Sequence, residues 1–238
     1  MEFLAYASSS AGNLYSARAG DSALLLDCGI RMAEIRRALG FRVSGLAGCL
    51  LSHHHGDHSR AAADLMRAGV NVYASAGTWA GLGLHGHRAL VVAPGKHFRV
   101  RGYLVTPFDL RHDAEGTLGF VVQAPDGDRL LFICDTSHVV YTFGAGLTHI
   151  AIEANYSERL LRHSDSPPEH RARVLRNHMS LERALGVLAA NDLSRLREVH
   201  LLHLSDRHAD AAEFKAAVQR ATGKPAYVAP RRLGEDSL

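Results

Sequence analysis

The sequence predicts an α/β fold of the αββα sandwich type, two packed sheets with helices on both outer faces. Three observations carry this. Short apolar runs bounded by turn residues recur from one end of the chain to the other, and most are continuous rather than alternating, as expected of strands covered on both faces. Helical patterns lie between them. The strands come first in antiparallel groups and then alternate with helices, a pattern that two sheets with outer helices satisfy. With 238 residues, 47% of them hydrophobic and 21% charged, the chain is sized for a substantial core and is expected to form one domain, 1–238.

The strand candidates, in order, are "SALLLDCG", "LAGCLLS", "NVYAS", "ALVVA", "GYLVTPF", "LGFVVQA", "RLLFICD", "THIAIEA", "EVHLLHLS" and "AYVA". The Asp-Gly step in "APDGD" (124–128) marks a hairpin that pairs "GFVVQ" with "RLLFIC". Helices are expected over 31–39, over 57–68, over 180–190 with Ser180 as N-cap, and over 209–221, the last stopping at Gly223 and Pro225.

Several classes are disfavoured. No apolar run approaches the ~20 residues of a membrane helix. The opening "MEFLAYASSSAGN" lacks the basic start and apolar stretch of a signal peptide, so a cytoplasmic protein is expected. Cys28, Cys49 and Cys134 sit in apolar runs and read as buried free thiols. A net charge of +3 is too small to name a partner. "GLGLHG" (81–86) matches Gly-x-Gly-x-x-Gly, but a strand-like "RALVV" follows it where a dinucleotide site needs a helix. There is no Walker A loop. Asp135, Ser137 and His138 are too close in sequence to align as a triad.

Sixteen histidines is a high count for this length, and "CLLSHHHGDHSR" (49–60) packs four of them with one aspartate into six positions. In extended backbone, residues two apart point the same way, so His53 and His55 can converge on one ion while His54 points away. Asp57 and His58 begin the next helix, where the chain turns toward a second ion. One loop cannot close two sites. His112, Asp135 and His203 each stand at the end of an apolar run and are candidates for the remaining positions.

These residues resemble the metallo-β-lactamase superfamily, whose hallmark is a His-x-His-x-Asp-His loop on an αββα sandwich. "LLLDCG" (24–29) is similar to that family's strand ending in Asp-x-Gly, which implies Asp27 as a partner of the metal loop. "SSSAGN" (8–13), "RHDAEGTLGF" (111–120), "CDTS" (134–137), "IEANYS" (152–157), "NHMS" (177–180) and "LHLSDRH" (202–208) resemble, in order, the YycJ/WalJ-like exonuclease branch. Asn155-Tyr156 stands where that branch usually has Asn-His, Asn177 where it has Gly, and Thr136-Ser137 where it has Thr-Gly. The resemblance implies one site of His53, His55 and His112, and a second of Asp57, His58 and His203, with Asp135 bridging. Zinc or manganese suits such a set, and iron is compatible.

Two divalent ions and two carboxylates leave a centre of about +2, which favours an anionic substrate. A bound ion lowers the pKa of water to about 7, giving hydroxide, and an ion pair suits displacement at phosphorus, which favours phosphodiester hydrolysis and leaves ester, lactone and thioester hydrolysis open. Asp57 can orient or deprotonate the nucleophile. His178 is the candidate acid for the leaving group, and it matches a late histidine of the family. His208 reads as a surface residue. Residues 156–183 concentrate Arg159, Arg162, Arg171, Arg173 and Arg176, whose forks fit phosphates. Asn155, Arg173 and Arg176 are expected on the substrate side. The leading expectation is a metal-dependent phosphodiester hydrolase, an exonuclease acting on nucleic acid with DNA favoured. The alternatives are a phosphodiesterase for cyclic or small nucleotides and a non-catalytic nucleic-acid-binding scaffold. The low aromatic content, 7%, favours a nuclease over a base-stacking pocket.

Overall fold

The computed structural model describes residues 1–235. One sheet has the order β1 (Glu2–Ser9), β2 (Gly12–Ala19), β3 (Ser22–Leu26), β4 (Leu46–Leu50), β5 (Val72–Ala74), β6 (Ala89–Val91). Its first three strands form an antiparallel meander, and β3 to β6 run parallel. The other sheet contains β7 (Phe98–Val100), β8 (Tyr103–Asp109), β9 (Leu118–Gln123), β10 (Arg129–Ile133), β11 (His149–Glu153), β12 (Glu198–Leu202) and β13 (Ala226–Val228). It repeats the plan, with β7 to β10 antiparallel and β10 to β13 parallel. The expected hairpin is present, with Arg129 opposite Gln123 and Phe132 opposite Phe120.

Alternation along each strand builds the layers. Leu24 and Leu26 of β3, and Leu130 and Phe132 of β10, enter a core between the sheets with Tyr15, Tyr103 and Phe120. Leu25 faces the other way, onto Ile35 of α1 (Met32–Ala38), Leu65 of α3 (Ala62–Arg67) and Trp79 of α4 (Ala76–Leu82). Leu131 and Ile133 face outward too, onto Leu181 and Leu188 of α7 (Leu181–Ala189) and Phe214 and Val218 of α8 (Ala211–Thr222). Because both faces of each sheet are covered, the strand sequences are continuous apolar runs.

The helix expected over 57–68 is instead two, α2 (Gly56–Ser59) and α3. The bonds that would join them are used elsewhere. Ala61 donates its N–H to the Cys28 carbonyl at 2.9 Å, and the Asp57 carbonyl accepts from Asn13 Nδ2 at 3.1 Å. The break keeps α2 locked against the end of β3. Residues 180–190 form α7, with Ser180 accepting from Arg183 N as its cap. The segment rich in arginine folds as α5 (Glu158–Arg162) and α6 (Pro168–Asn177). Strands β1 and β2 were not among the expected runs, since Ala and Ser dilute their apolar content. No helix among the described residues is long and apolar enough to cross a membrane.

Candidate metal centre

Six strands deliver side chains to one end of the sandwich. Asp27 follows β3, the histidine loop follows β4, His112 follows β8, Asp135 follows β10, Glu153 ends β11 and His203 follows β12. Asp27, Asp135 and His203 all have left-handed backbone, with φ of 58°, 49° and 55°. Non-glycine residues pay for that conformation, and such strain concentrates where a side chain must be aimed at a site.

His53 Nε2 lies 3.1 Å from His55 Nδ1, which lies 3.2 Å from His112 Nε2. Ligand nitrogens at about 2.0–2.1 Å from a tetrahedral ion are separated by about 3.3 Å, so this trio has the spacing of a metal site. Beside it stand Asp57, His58, Asp135 and His203, whose ligand atoms all fall within 4.8 Å of one another. Asp135 Oδ2 sits between the groups, 3.3 Å from His58 Nε2, 3.8 Å from His112 Nε2 and 3.9 Å from His53 Nε2. His203 Nε2 is buried, 3.8 Å from Asp57 Oδ2, with no hydrogen-bond partner. Such an orphaned nitrogen is costly unless something coordinates it. The donor set therefore fits divalent ions.

Partners behind the cluster fix each ring. Asp27 accepts from His58 Nδ1 at 2.7 Å, from Ser52 N at 2.8 Å and from Ser52 Oγ at 3.0 Å. Ser52 Oγ lies in turn 3.0 Å from His53 Nδ1. One buried carboxylate thus aims two rings and leaves their Nε2 atoms facing the centre. The Asn177 carbonyl lies 3.1 Å from His112 Nδ1, and Asn177 Nδ2 donates to Asp113. Asn155 Nδ2 donates to the His203 carbonyl at 2.7 Å, and Ser8 Oγ accepts from His203 N at 2.8 Å. Asn13 Nδ2 reaches His58 Nε2 at 2.9 Å, so the "SSSAGN" turn is part of the frame.

Electrostatics divide the histidines. Burial, with His58 beside it, pushes His53 well below its usual value, and burial lowers His112. Both are neutral, as ligands must be. Burial also opposes charge on His58 and His203, but Asp135 leads the carboxylates that outweigh it. His58 is raised well above its usual value and His203 to about 10. Asp135 is held well below the carboxylate range against burial by His203 and His58. His178 stacks on His203 with ring centroids 5.3 Å apart, and its Nδ1 lies 2.6 Å from Glu153 Oε1. Burial lowers the His178 pKa and the Glu153 carboxylate more than restores it, so the net shift is upward. Glu153 Oε2 accepts from Thr136 N and Met179 N.

The cluster opens into a cavity of about 390 Å³ lined by His55, Asp57, His112, Asp135, His178 and His203, with Ser10 and Arg173 at its edge. The structure therefore gathers all seven proposed ligands, places His178 against them and sets Asp27 behind them. Asn155 is turned toward His203, at the floor of the adjoining cavity. Arg176 is exposed and borders neither cavity. The His54 ring packs on Gly81, away from the centre. His208 is not a surface residue: it is 1% exposed and hydrogen-bonded to Ser166 Oγ at 2.9 Å, tying α6 to the end of β12. Arg159 pairs with Glu213 and Arg171 donates to Ser164 and Ser166, so those two arginines are structural. Sequence reading missed Glu153, Asn13, Ser52 and Asp113. Glu153 carried a usable signal, a lone charge closing an apolar run as Asp135 and His203 do.

Three solved structures share the architecture. The metallo-beta-lactamase fold protein YhfI from Bacillus subtilis superposes with a TM-score of 0.71 at 15% identity, covering 97% of each chain. Human tRNase Z, short form, gives 0.64 at 15% identity over 87% of this chain and 94% of that one. A diphosphatase of the PhnP family gives 0.62 at 13% identity over 99% and 96%. No curated protein matches in sequence. The model of the beta-lactamase superfamily domain matches residues 23–201, from β3, which leads into Asp27, to β12, which leads into His203. The chain belongs to that superfamily and has its metallo-β-lactamase fold.

Proposed function

We propose that the protein is a dinuclear-metal-dependent phosphodiester hydrolase that degrades nucleic acid, with DNA as the favoured substrate, in the manner of the YycJ/WalJ-like exonuclease branch. The observation that carries this reading is the pair of adjoining donor groups sharing the Asp135 carboxylate. His53, His55 and His112 would hold one ion and Asp57, His58 and His203 the other, with Asp135 between them. When bound, zinc or manganese (iron is compatible) would supply a nucleophile at neutral pH and offset charge at phosphorus. Asp57, kept ionised against burial by His203 and His58, is placed to orient that nucleophile. Glu153 holds the Nδ1 proton of His178, leaving the other nitrogen of that ring to protonate the leaving oxygen. Similarity in fold to a tRNase and a diphosphatase is in keeping with chemistry at phosphorus. Three buried cysteines with no disulfide suit the reducing, cytoplasmic setting expected of such an enzyme.

The test is turnover by metal-loaded protein of a 5′-labelled DNA duplex and a cyclic dinucleotide. Shortening of the duplex is the expected result. Turnover of the cyclic compound alone moves the assignment to small nucleotides. Inertness toward both at full metal occupancy leaves a binding scaffold.

A further inference from the structure

The cavity over the cluster is one end of a longer depression. It shares Ser10, Arg173, His178 and His203 with a second cavity of about 260 Å³. The second shares Arg231 with a third of about 370 Å³, which lies beyond the β1–β2 turn. The turn forms the wall throughout: Ser9 and Ser10 line the second cavity, Ala11 and Gly12 the third. Arginines follow in order along the floor and rim, with Arg173 beside the cluster, Arg207 and Arg231 in the middle, and Arg232, Arg60 and Arg31 at the far end. Among the described residues, Asp206 and Glu34 line these cavities and pair with Arg231 and Arg31, and the Glu235 carboxylate accepts from the backbone N–H groups of Arg231 and Arg232. This leaves Arg173, Arg207, Arg60 and Arg232 as the guanidinium groups of the track without an acidic side-chain partner. The opposite rim of the first cavity carries the half-exposed carboxylate of Asp113. The positive track therefore leaves the cluster on one side only.

We propose that this arginine track binds the backbone of a single nucleic-acid strand running away from the bond to be cut, phosphate by phosphate and without reading bases. The inference rests on the phosphodiesterase reading for where the strand begins, and on the shape and charge of the groove for where it goes. Guanidinium forks match phosphate oxygens. A run of them along one connected groove suits a polyanion better than a compact nucleotide. No Phe, Tyr or Trp lines any of the three cavities, so the groove has no aromatic platform on which bases stack. Recognition through phosphates alone gives affinity that grows with length, falls with salt and ignores sequence.

The test is fluorescence anisotropy of metal-loaded protein with labelled phosphorothioate thymidine di-, tetra- and octanucleotides, which keep the charge and resist cleavage. The octanucleotide should bind at least about tenfold tighter than the dinucleotide, with a log–log salt slope near −2 for three phosphates. An adenine octanucleotide should bind like the thymidine one. The double variant R31Q/R232Q should lose most of the gain from length, whereas R99Q/R101Q, at the opposite end of β4, should keep it. Affinity independent of length, equal loss in both double variants, or equal displacement by an oligoglutamate peptide overturns the track. Turnover of bis(p-nitrophenyl) phosphate by the same preparation tests the hydrolase reading separately. Length-dependent binding without turnover overturns that reading and keeps the track; turnover without length dependence does the reverse.

Discussion

Glu153 ends β11 with its carboxylate fully buried and both oxygens committed, one to His178 and the other to two backbone N–H groups. Gln fills the same space but cannot hold a positive charge on His178. An acid must be protonated, so activity fails as pH rises through its pKa, and a raised pKa extends activity upward. The variant E153Q should therefore lose about 10²-fold in kcat, and the alkaline limb of its pH–rate profile should move to lower pH. An unmoved limb would assign the proton to another group. Asp27 allows a second test. Its left-handed backbone is one that Asn also tolerates, so D27N removes the charge without disturbing the chain. Metal affinity, read by chelator competition, should fall about 10–100-fold; unchanged affinity would show that His58 needs no carboxylate behind it. The histidine loop was legible in the sequence because four imidazoles in six positions have no ordinary structural reason to be there. Asn13, Ser52 and Asp113 were not, because their roles exist only once distant segments meet.

At the scale of elements, the strand ends are aimed by close backbone contact rather than by long helices. Cys28 N donates to the His58 carbonyl at 2.7 Å and the Cys28 carbonyl accepts from Ala61 N, clamping the exit of β3 onto α2. Gly29 lies within that clamp, where an added Cβ would sit 1.6 Å from the Asp57 carbonyl oxygen and 2.2 Å from its carbon. Backbone on both sides cannot yield without breaking the clamp. The variant G29A should cost about 3 kcal/mol, lowering the melting temperature by roughly 6–12 °C, and should reduce metal occupancy because Asp57 and His58 move with α2. An unaltered melting temperature with full occupancy would show that the loop has room to shift. The same clamp explains why the helix expected over 57–68 is broken: periodicity reports which residues are apolar, not that Asn13 and Cys28 take the hydrogen bonds at 57 and 61. The runs of β3 to β6 and of β8 to β13 were readable because sheets covered on both faces demand continuous apolar sequence, whereas β7, three residues long with an exposed arginine at its centre, was not among the expected runs. The Ala- and Ser-rich β1 and β2 offered no such run, although their turn forms one wall of the site.

Across the whole molecule the centre joins the two sheets. His53, His55, Asp57 and His58 come from the β4 side, while His112, Asp135 and His203 come from the other sheet. Ions held between them link the halves of the sandwich and stabilise the folded state by mass action, about 4 kcal/mol at a thousandfold excess over Kd, or roughly 8–16 °C in melting temperature. The size of that effect depends on pH with a definite sign. Without metal, His203 has a pKa of about 10 and His58 is also raised, both above the unfolded value for histidine. Their contribution to the metal-free fold is complete below the unfolded pKa and is lost as pH rises through the folded one. Metal must displace those same protons, so its apparent affinity increases over the same range. Raising pH from 6 to 8 should accordingly widen the gap in melting temperature between loaded and chelator-treated protein. Calorimetric titrations in buffers of different ionisation enthalpy should show protons released on loading. A gap that stays constant over that range, with no proton release, would mean that these imidazoles are already neutral in the empty protein and that the carboxylates around them do not act as inferred.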